Sequence, residues 1–190
     1  MFTEHLRNQV EGTNIFNGML KERDIAPGFK LPNINGESIC SKEMLSSGKL
    51  VITFYGRSWR PYSAFELLAC QAVYEQLVKR NVKFVAICPH QPGPASMRRG
   101  DVDLTYETLI DVDNEVARQF GLTFEVPGPD IRKFRKSFCI DLVSLHSDAH
   151  IELSLPATYI VDQDGMIVKS FLGFDNLSHP TPSEILKYLD

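Results

Sequence analysis

Residues 49–88 constrain the fold of this chain more than any other stretch. Lys49 to Tyr55 alternates poorly but is strongly apolar, which predicts a strand buried on both faces. From Pro61 to Arg80 the apolar residues Phe65, Leu68, Ala69, Ala72, Val73 and Leu77 fall at i, i+3, i+4, i+7, i+8 and i+12. That is one face of a long helix, and Pro61 suits its first turn, where an amide hydrogen has no partner anyway. Val82 to Cys88 predicts a second apolar strand, ended by Pro89. Strand, helix and strand in this order form a βαβ unit, which implies parallel neighbouring strands joined by a right-handed crossover.

The flanking segments keep this α/β character. Residues 3–23 read as a helical arm, with Leu6, Val10, Phe16, Met19 and Leu20 at loosely helical spacing. Ala26-Pro27-Gly28 breaks it, and Phe29 to Pro32 followed by Asn33 to Glu37 predicts a short strand and a turn. Ser41 to Leu45 fits one helical turn. Thr108 to Val112 predicts a strand, and Asp113 to Phe120 a short helix started by Asp113 and stopped by Gly121. Pro129 to Phe138 has a helical pattern. Ala157 to Val161 and Met166 to Phe171 predict a hairpin around Asp162-Gln163-Asp164-Gly165. Thr181 and Glu184 form a capping box with Pro182 at the first helical position, so a C-terminal helix follows. No linker divides the chain. The expectation is an N-terminal helical arm at residues 1–24 and one domain over 25–190.

Composition narrows the function classes. A net charge of −4 gives no support to nucleic-acid binding or to an anionic membrane surface. No apolar run approaches the ~20 residues of a membrane span. The polar start, Met1 to Arg7, lacks a secretory core, and a cytoplasmic location is the expectation. Cys40, Cys70, Cys88 and Cys139 are unevenly spaced with no C-x-x-C pair, which fits neither a zinc ribbon nor a disulfide framework. His146 and His150 stand four apart, but their flanks read as loop and strand rather than helix, so they are not taken as metal ligands. Arg132, Lys133, Arg135 and Lys136 read as a solvated helix face. No metal and no cofactor is implied.

Four segments, in order, carry a resemblance to a known family. These are Ala26 to Pro32; Phe54-Tyr55-Gly56-Arg57-Ser58-Trp59-Arg60-Pro61-Tyr62-Ser63; Leu109 to Asp113 with Ala117 to Leu122; and Leu155-Pro156-Ala157-Thr158-Tyr159-Ile160-Val161-Asp162 with Asp164-Gly165. Together they resemble the peroxiredoxin-like branch of the alkyl hydroperoxide reductase/thiol-specific antioxidant (AhpC/TSA) family. The resemblance implies a thioredoxin-like, peroxiredoxin-type central mixed sheet flanked by helices. It implies a thiol oxidoreductase of the antioxidant class, with a redox partner protein and often a homodimer, for which the N-terminal arm would be available. In that family the reactive cysteine sits at the first turn of a helix. Unpaired backbone N–H groups and the helix dipole stabilise its thiolate there. By the same resemblance Trp59 would shield one side of the site. Pro156 would face it after a cis peptide bond from Leu155.

The chain departs from the family at its centre. Arg60 stands where the resemblance places the attacking cysteine, and Ser63 where it places the second. A guanidinium is neither a nucleophile nor oxidised by peroxide, and a serine hydroxyl without an adjacent base has no redox cycle. Peroxide reduction by the family's chemistry is therefore excluded at this turn. Two unlike replacements, with Gly56-Arg57 in place of the family's Arg-Gly, fit natural divergence. Three readings stay open. One is a family member whose catalysis is degenerate. Another is a ligand-binding protein in which Arg57, Ser58, Trp59, Arg60, Ser63 and Pro156 surround a small anion at the helix N-terminus. The third is a thiol oxidoreductase using a displaced cysteine. Cys88 is the candidate, because it ends the strand parallel to Leu50–Phe54 and shares the sheet edge with the turn.

Overall fold

The computed structural model describes residues 18–55, 71, 74–89, 105–126, 151–172 and 180–189. Nine strands lie in these segments: β1 (Lys30–Pro32), β2 (Ser38–Cys40), β3 (Leu50–Phe54), β4 (Lys83–Cys88), β5 (Glu107–Ile110), β6 (Thr123–Val126), β7 (Ile151–Ser154), β8 (Ala157–Val161) and β9 (Ile167–Leu172). The helical pieces are α1 (Ser41–Ser47), the helical residues 74–79 (α2), a 3-10 turn at Val112–Asn114, α3 (Glu115–Gln119) and α4 (Pro182–Lys187).

Five strands form the central sheet, in the order β5-β4-β3-β8-β9. β3 is parallel to β4, and β4 to β5, as the βαβ pattern requires. β8 runs antiparallel to both β3 and β9. All five residues of β3 are buried, which explains why its sequence does not alternate. Its side chains still divide by face. Leu50, Ile52 and Phe54 join one core with Val85, Ile87, Leu109, Phe120 and Tyr159. Val51 joins the opposite core with Leu77, Phe84, Ala86, Cys88, Ile160 and Ile185. Phe54, Phe120 and Tyr159 are fully buried, and Phe120 sets its ring 5.0 Å from each of the other two. α4 is capped by Thr181 and Glu184 with Pro182 at its start, as the sequence predicts.

Residues 20–33 run as a strap across the sheet. Arg23 N–H donates to Ile167 O and Ala26 N–H to Gly165 O, each at 2.9 Å, and Ile167 N–H donates back to Asp24 O. At the other side Asn33 bridges Leu109 of β5 and donates from Nδ2 to the Glu107 carboxylate at 3.1 Å. The expected arm helix is therefore corrected at its C-terminal end: residues 19–24 are not helical. The physical reason is competition. The Asp24 carboxylate takes the Lys21 N–H, Arg23 adopts φ 78°, and bonds to the sheet replace intrahelical ones. Residues 1–17 of that arm, and the expected helix at 129–138, lie outside the described residues.

Glu22 fastens the strap to β9. Its carboxylate accepts from Lys169 Nζ at 2.7 Å, from Ser170 N–H at 3.4 Å and from Ser170 Oγ–H at 3.3 Å. Desolvation would push the Glu22 carboxyl up, but these bonds and the lysine charge outweigh it and lower it to about 2. A depressed carboxyl stabilises the fold above its unfolded value, and that contribution fades as pH falls through the acid range. The side chain is 40% exposed, so screening holds the effect to about 1 kcal/mol. Glu22→Gln should lower the urea midpoint at neutral pH, and the gap to the parent should close below about pH 4.5. A gap that stays constant down to pH 3 would show that the ionised carboxylate contributes nothing.

α3 begins in a way the sequence disguises. Asp111, not Asp113, caps it: the Asp111 carboxylate accepts Val116 N–H at 2.9 Å and Ala117 N–H at 2.8 Å. The chain reaches this geometry through two left-handed residues, Asp113 (φ 63°) and Asn114 (φ 55°). Gly121 ends the helix as expected, in a Schellman arrangement: Gly121 N–H donates to Arg118 O and Leu122 N–H to Ala117 O, both at 2.9 Å. β6 and β7 form a separate two-stranded ribbon in which Glu125 and Glu152 face each other. Arg118 relieves that like-charge pair, its Nη2 lying 2.6 Å from Glu152 Oε2 and its Nε 3.2 Å from Oε1. Among the described residues no helix is long and apolar enough to cross a membrane.

Candidate functional site

The carboxyl ends of β3, β4 and β5 meet at one edge of the central sheet, where α/β folds place their sites. Parallel pairing sets Phe54 beside Ile87, and Tyr55 N–H extends the ladder by donating to Ile87 O at 3.0 Å. Antiparallel pairing sets Phe54 beside Ala157, so Pro156 lies across from Tyr55, the last described residue before the turn. Asp111 N–H donates to Cys88 O at 2.8 Å and ties β5 to the same edge. Tyr55, Cys88 and Pro156, far apart in sequence, are thus neighbours by register.

Thr53, Thr158 and Asp111 near this edge serve the scaffold. Thr53 and Thr158 face each other across β3 and β8, and their Oγ1 atoms share a hydrogen bond of 2.9 Å in a buried setting. Burial pushes the Asp111 carboxyl up, while the N–H groups of Val116 and Ala117 pull it down; the balance is a raised value. Both carboxylate oxygens are engaged by those N–H groups, so Asp111 is a poor candidate base. Neither the threonine pair nor the cap was singled out in the sequence. Hydroxyls opposite each other in otherwise apolar strands, and an acid immediately ahead of a Val-Asp-Asn turn, are signals visible only once register is known.

Cys88 sits where the sequence places it, at the end of β4, but only 1% of its surface is exposed. It belongs to the core formed with Phe84, Ala86, Tyr106 and Leu77. Cys40 is half-buried at the end of β2. Pro156 is buried beside the edge, and here the expectation is corrected: the Leu155–Pro156 bond is trans, and no cis peptide occurs among the described residues. Trans is the intrinsically favoured X–Pro form by ~0.5–1 kcal/mol. Only Leu155 and Pro156 separate β7 from β8, and Leu155 N–H is held by Leu122 O at 2.8 Å. Arg57, Ser58, Trp59, Arg60 and Ser63 lie outside the described residues, as do Cys70, Cys139, His146, His150 and the basic cluster at 132–136.

A mixed five-stranded sheet with a parallel β3–β4 pair, a following antiparallel β8–β9 hairpin and a proline facing the end of β3 defines a thioredoxin fold of the peroxiredoxin type. The chain belongs to the AhpC/TSA family, whose model matches residues 23–170. It is 25% identical over 160 residues to peroxiredoxin Bcp of Escherichia coli (strain K12), an alignment covering 84% of this chain and 90% of that protein. Peroxidoxin BcpB from Mycobacterium tuberculosis superposes with a TM-score of 0.64 at 19% identity, covering 90% of this chain and 94% of its own. A cysteine-to-serine mutant of peroxiredoxin 6 from Arenicola marina gives 0.66 at 20% identity, covering 90% and 72%. At these identities the solved structures bear on the fold alone. This is a peroxiredoxin-like member of the antioxidant and thiol oxidoreductase class by descent.

Proposed function

We propose that this chain keeps the peroxiredoxin scaffold without the family's peroxide chemistry. The observation that carries the reading is Trp59-Arg60-Pro61-Tyr62-Ser63, in which neither position that resembles a reactive cysteine holds sulfur. The scaffold around it supports retention of the fold: β3 is fully buried, and the register brings Pro156 to the start of the turn. The burial of Cys88 in an apolar core supports the same reading against a displaced thiol. With 1% of its surface exposed, the Cys88 sulfur is closed off from peroxide and from a thiol partner, and thiol chemistry needs access as well as ionisation.

Peroxide consumption by the purified chain with a dithiol reductant tests this directly. The expected result is no turnover above the reductant alone, for the parent and for Cys88→Ala equally. Turnover abolished by Cys88→Ala would overturn the reading in favour of a displaced-thiol oxidoreductase. A second reading rests on the two guanidinium groups of Arg57 and Arg60: capture of a small anion at the turn.

A further inference from the structure

We propose that Lys169 couples the two ends of the described fold, the strap at 20–26 and the C-terminal helix α4, through one shared ammonium group. Its Nζ lies 2.7 Å from Glu22 Oε1 on the strap. The same atom lies 5.5 Å from the ring centroid of Tyr188, the residue that caps α4, and 5.6 Å from that of Phe171 on its own strand. The two rings meet at 5.9 Å and 72°, an edge-to-face contact that presents both to the lysine.

Sharing makes the two attachments interdependent. A carboxylate on one side and two ring faces on the other both attract the ammonium, and its position is their compromise. Remove the carboxylate and nothing on the strap side holds the cation, so it moves into solvent and the hold on Tyr188 weakens. Loosen Tyr188 and the geometry of the Glu22 pair changes in turn. The lysine side chain is 29% exposed, so water screens the charges without dissolving the contact. Lys187 Nζ also stands over the Tyr188 ring, at 5.8 Å, but it is Lys169 that pairs with Glu22. What reaches α4 matters for the interior. Ile185 and Leu189 pack into the same core as Val51 of β3 and Leu77 of α2, so a change at the strap is carried to the face beneath the βαβ helix.

Amide hydrogen exchange tests the coupling. Arg23 and Ala26 report the strap, and Ile185 and Leu189 report α4, since each of these amides is hydrogen-bonded. Glu22→Gln should speed exchange at both ends, the distant one by about twofold or more. Tyr188→Leu should do the same in the opposite direction. In a Lys169→Met background neither change should cross to the other end, whereas Lys169→Arg should preserve the coupling. Effects of Glu22→Gln confined to residues 20–26 would overturn the proposal. So would a crossing effect that survives Lys169→Met, or unchanged exchange at both ends in every variant.

Discussion

Cysteines placed at positions 60 and 63 together are expected to make this chain reactive toward peroxides. The family's chemistry needs two things, a thiol and an environment that ionises it, and Arg60 and Ser63 remove the thiol. β3 ends at Phe54, Tyr55 continues its ladder with β4, and Pro156 sits opposite, so the mount for a strand-to-helix turn is in place. A cysteine at the first turn of a helix has its thiolate stabilised by open N–H groups and the dipole. Its pKa should fall from ~8.5 into the range of about 3.5–7.5, which at neutral pH raises the thiolate fraction by up to about thirtyfold. Ultraviolet absorbance of the thiolate against pH, with stoichiometric loss of peroxide, measures both. A new thiol with an ordinary pKa and no peroxide reactivity would mean that the turn no longer supplies that environment. The same variant addresses the anion reading: saturable binding of inorganic phosphate by the parent should disappear with Arg60, and its absence in the parent would remove that reading.

Gly121→Ala should cost about 3 kcal/mol, a large share of the stability of a domain this size. Gly121 has φ +70°, which an alanine adopts at a cost of about 1 kcal/mol. The remainder is steric. A Cβ at this position would lie 2.0 Å from the carbonyl oxygen of Gly18 and 2.5 Å from its carbon, both backbone atoms that no rotamer change can move. Relief requires lifting the Gly18–Met19 peptide, and with it Met19 from the core and the Leu20 N–H bond to Phe120 O. Gly36 is the control. Its φ is +84°, yet nothing lies within 4 Å of a Cβ there, so Gly36→Ala should cost only roughly 1 kcal/mol. Urea midpoints of the two variants, with proteolysis of the 18–26 segment, compare them. Equal losses at both glycines would show that backbone conformation alone matters and that the close approach of the strap does not.

The sequence disclosed those parts of the fold whose signals are local. Five consecutive buried residues in β3, the Asp162–Gly165 turn between β8 and β9, and the Thr181–Glu184 box are each contained in a few residues. What stayed hidden depends on partners distant along the chain. β6 is four residues without turn signals, and its partner β7 begins at Ile151, so only the pairing reveals it. The strap looked helical up to residue 23 because hydrophobic spacing does not show that the N–H groups of Leu20, Lys21 and Arg23 go to Phe120 O, the Asp24 carboxylate and Ile167 O. Asp113 has the position of a helix start, but two left-handed residues transfer that role to Asp111. At the candidate site, the identities of Arg60 and Ser63 were decisive without coordinates, because no arrangement gives a guanidinium a redox cycle. The burial of Cys88 and the trans bond before Pro156 are facts of packing that spacing does not carry.

A sheet ends in strands with vacant hydrogen-bonding groups, and these recruit strands from other molecules. Here the start of β9 and the turn before it are bonded to residues 23–26, and β5 is met by Asn33. Both occupants belong to the same short stretch of chain. Another molecule seeking to prolong this sheet, in ordered assembly or in aggregation, must first displace a segment already in register, held by three backbone bonds and the Glu22 carboxylate. Strand addition by another molecule is thereby opposed where β9 begins.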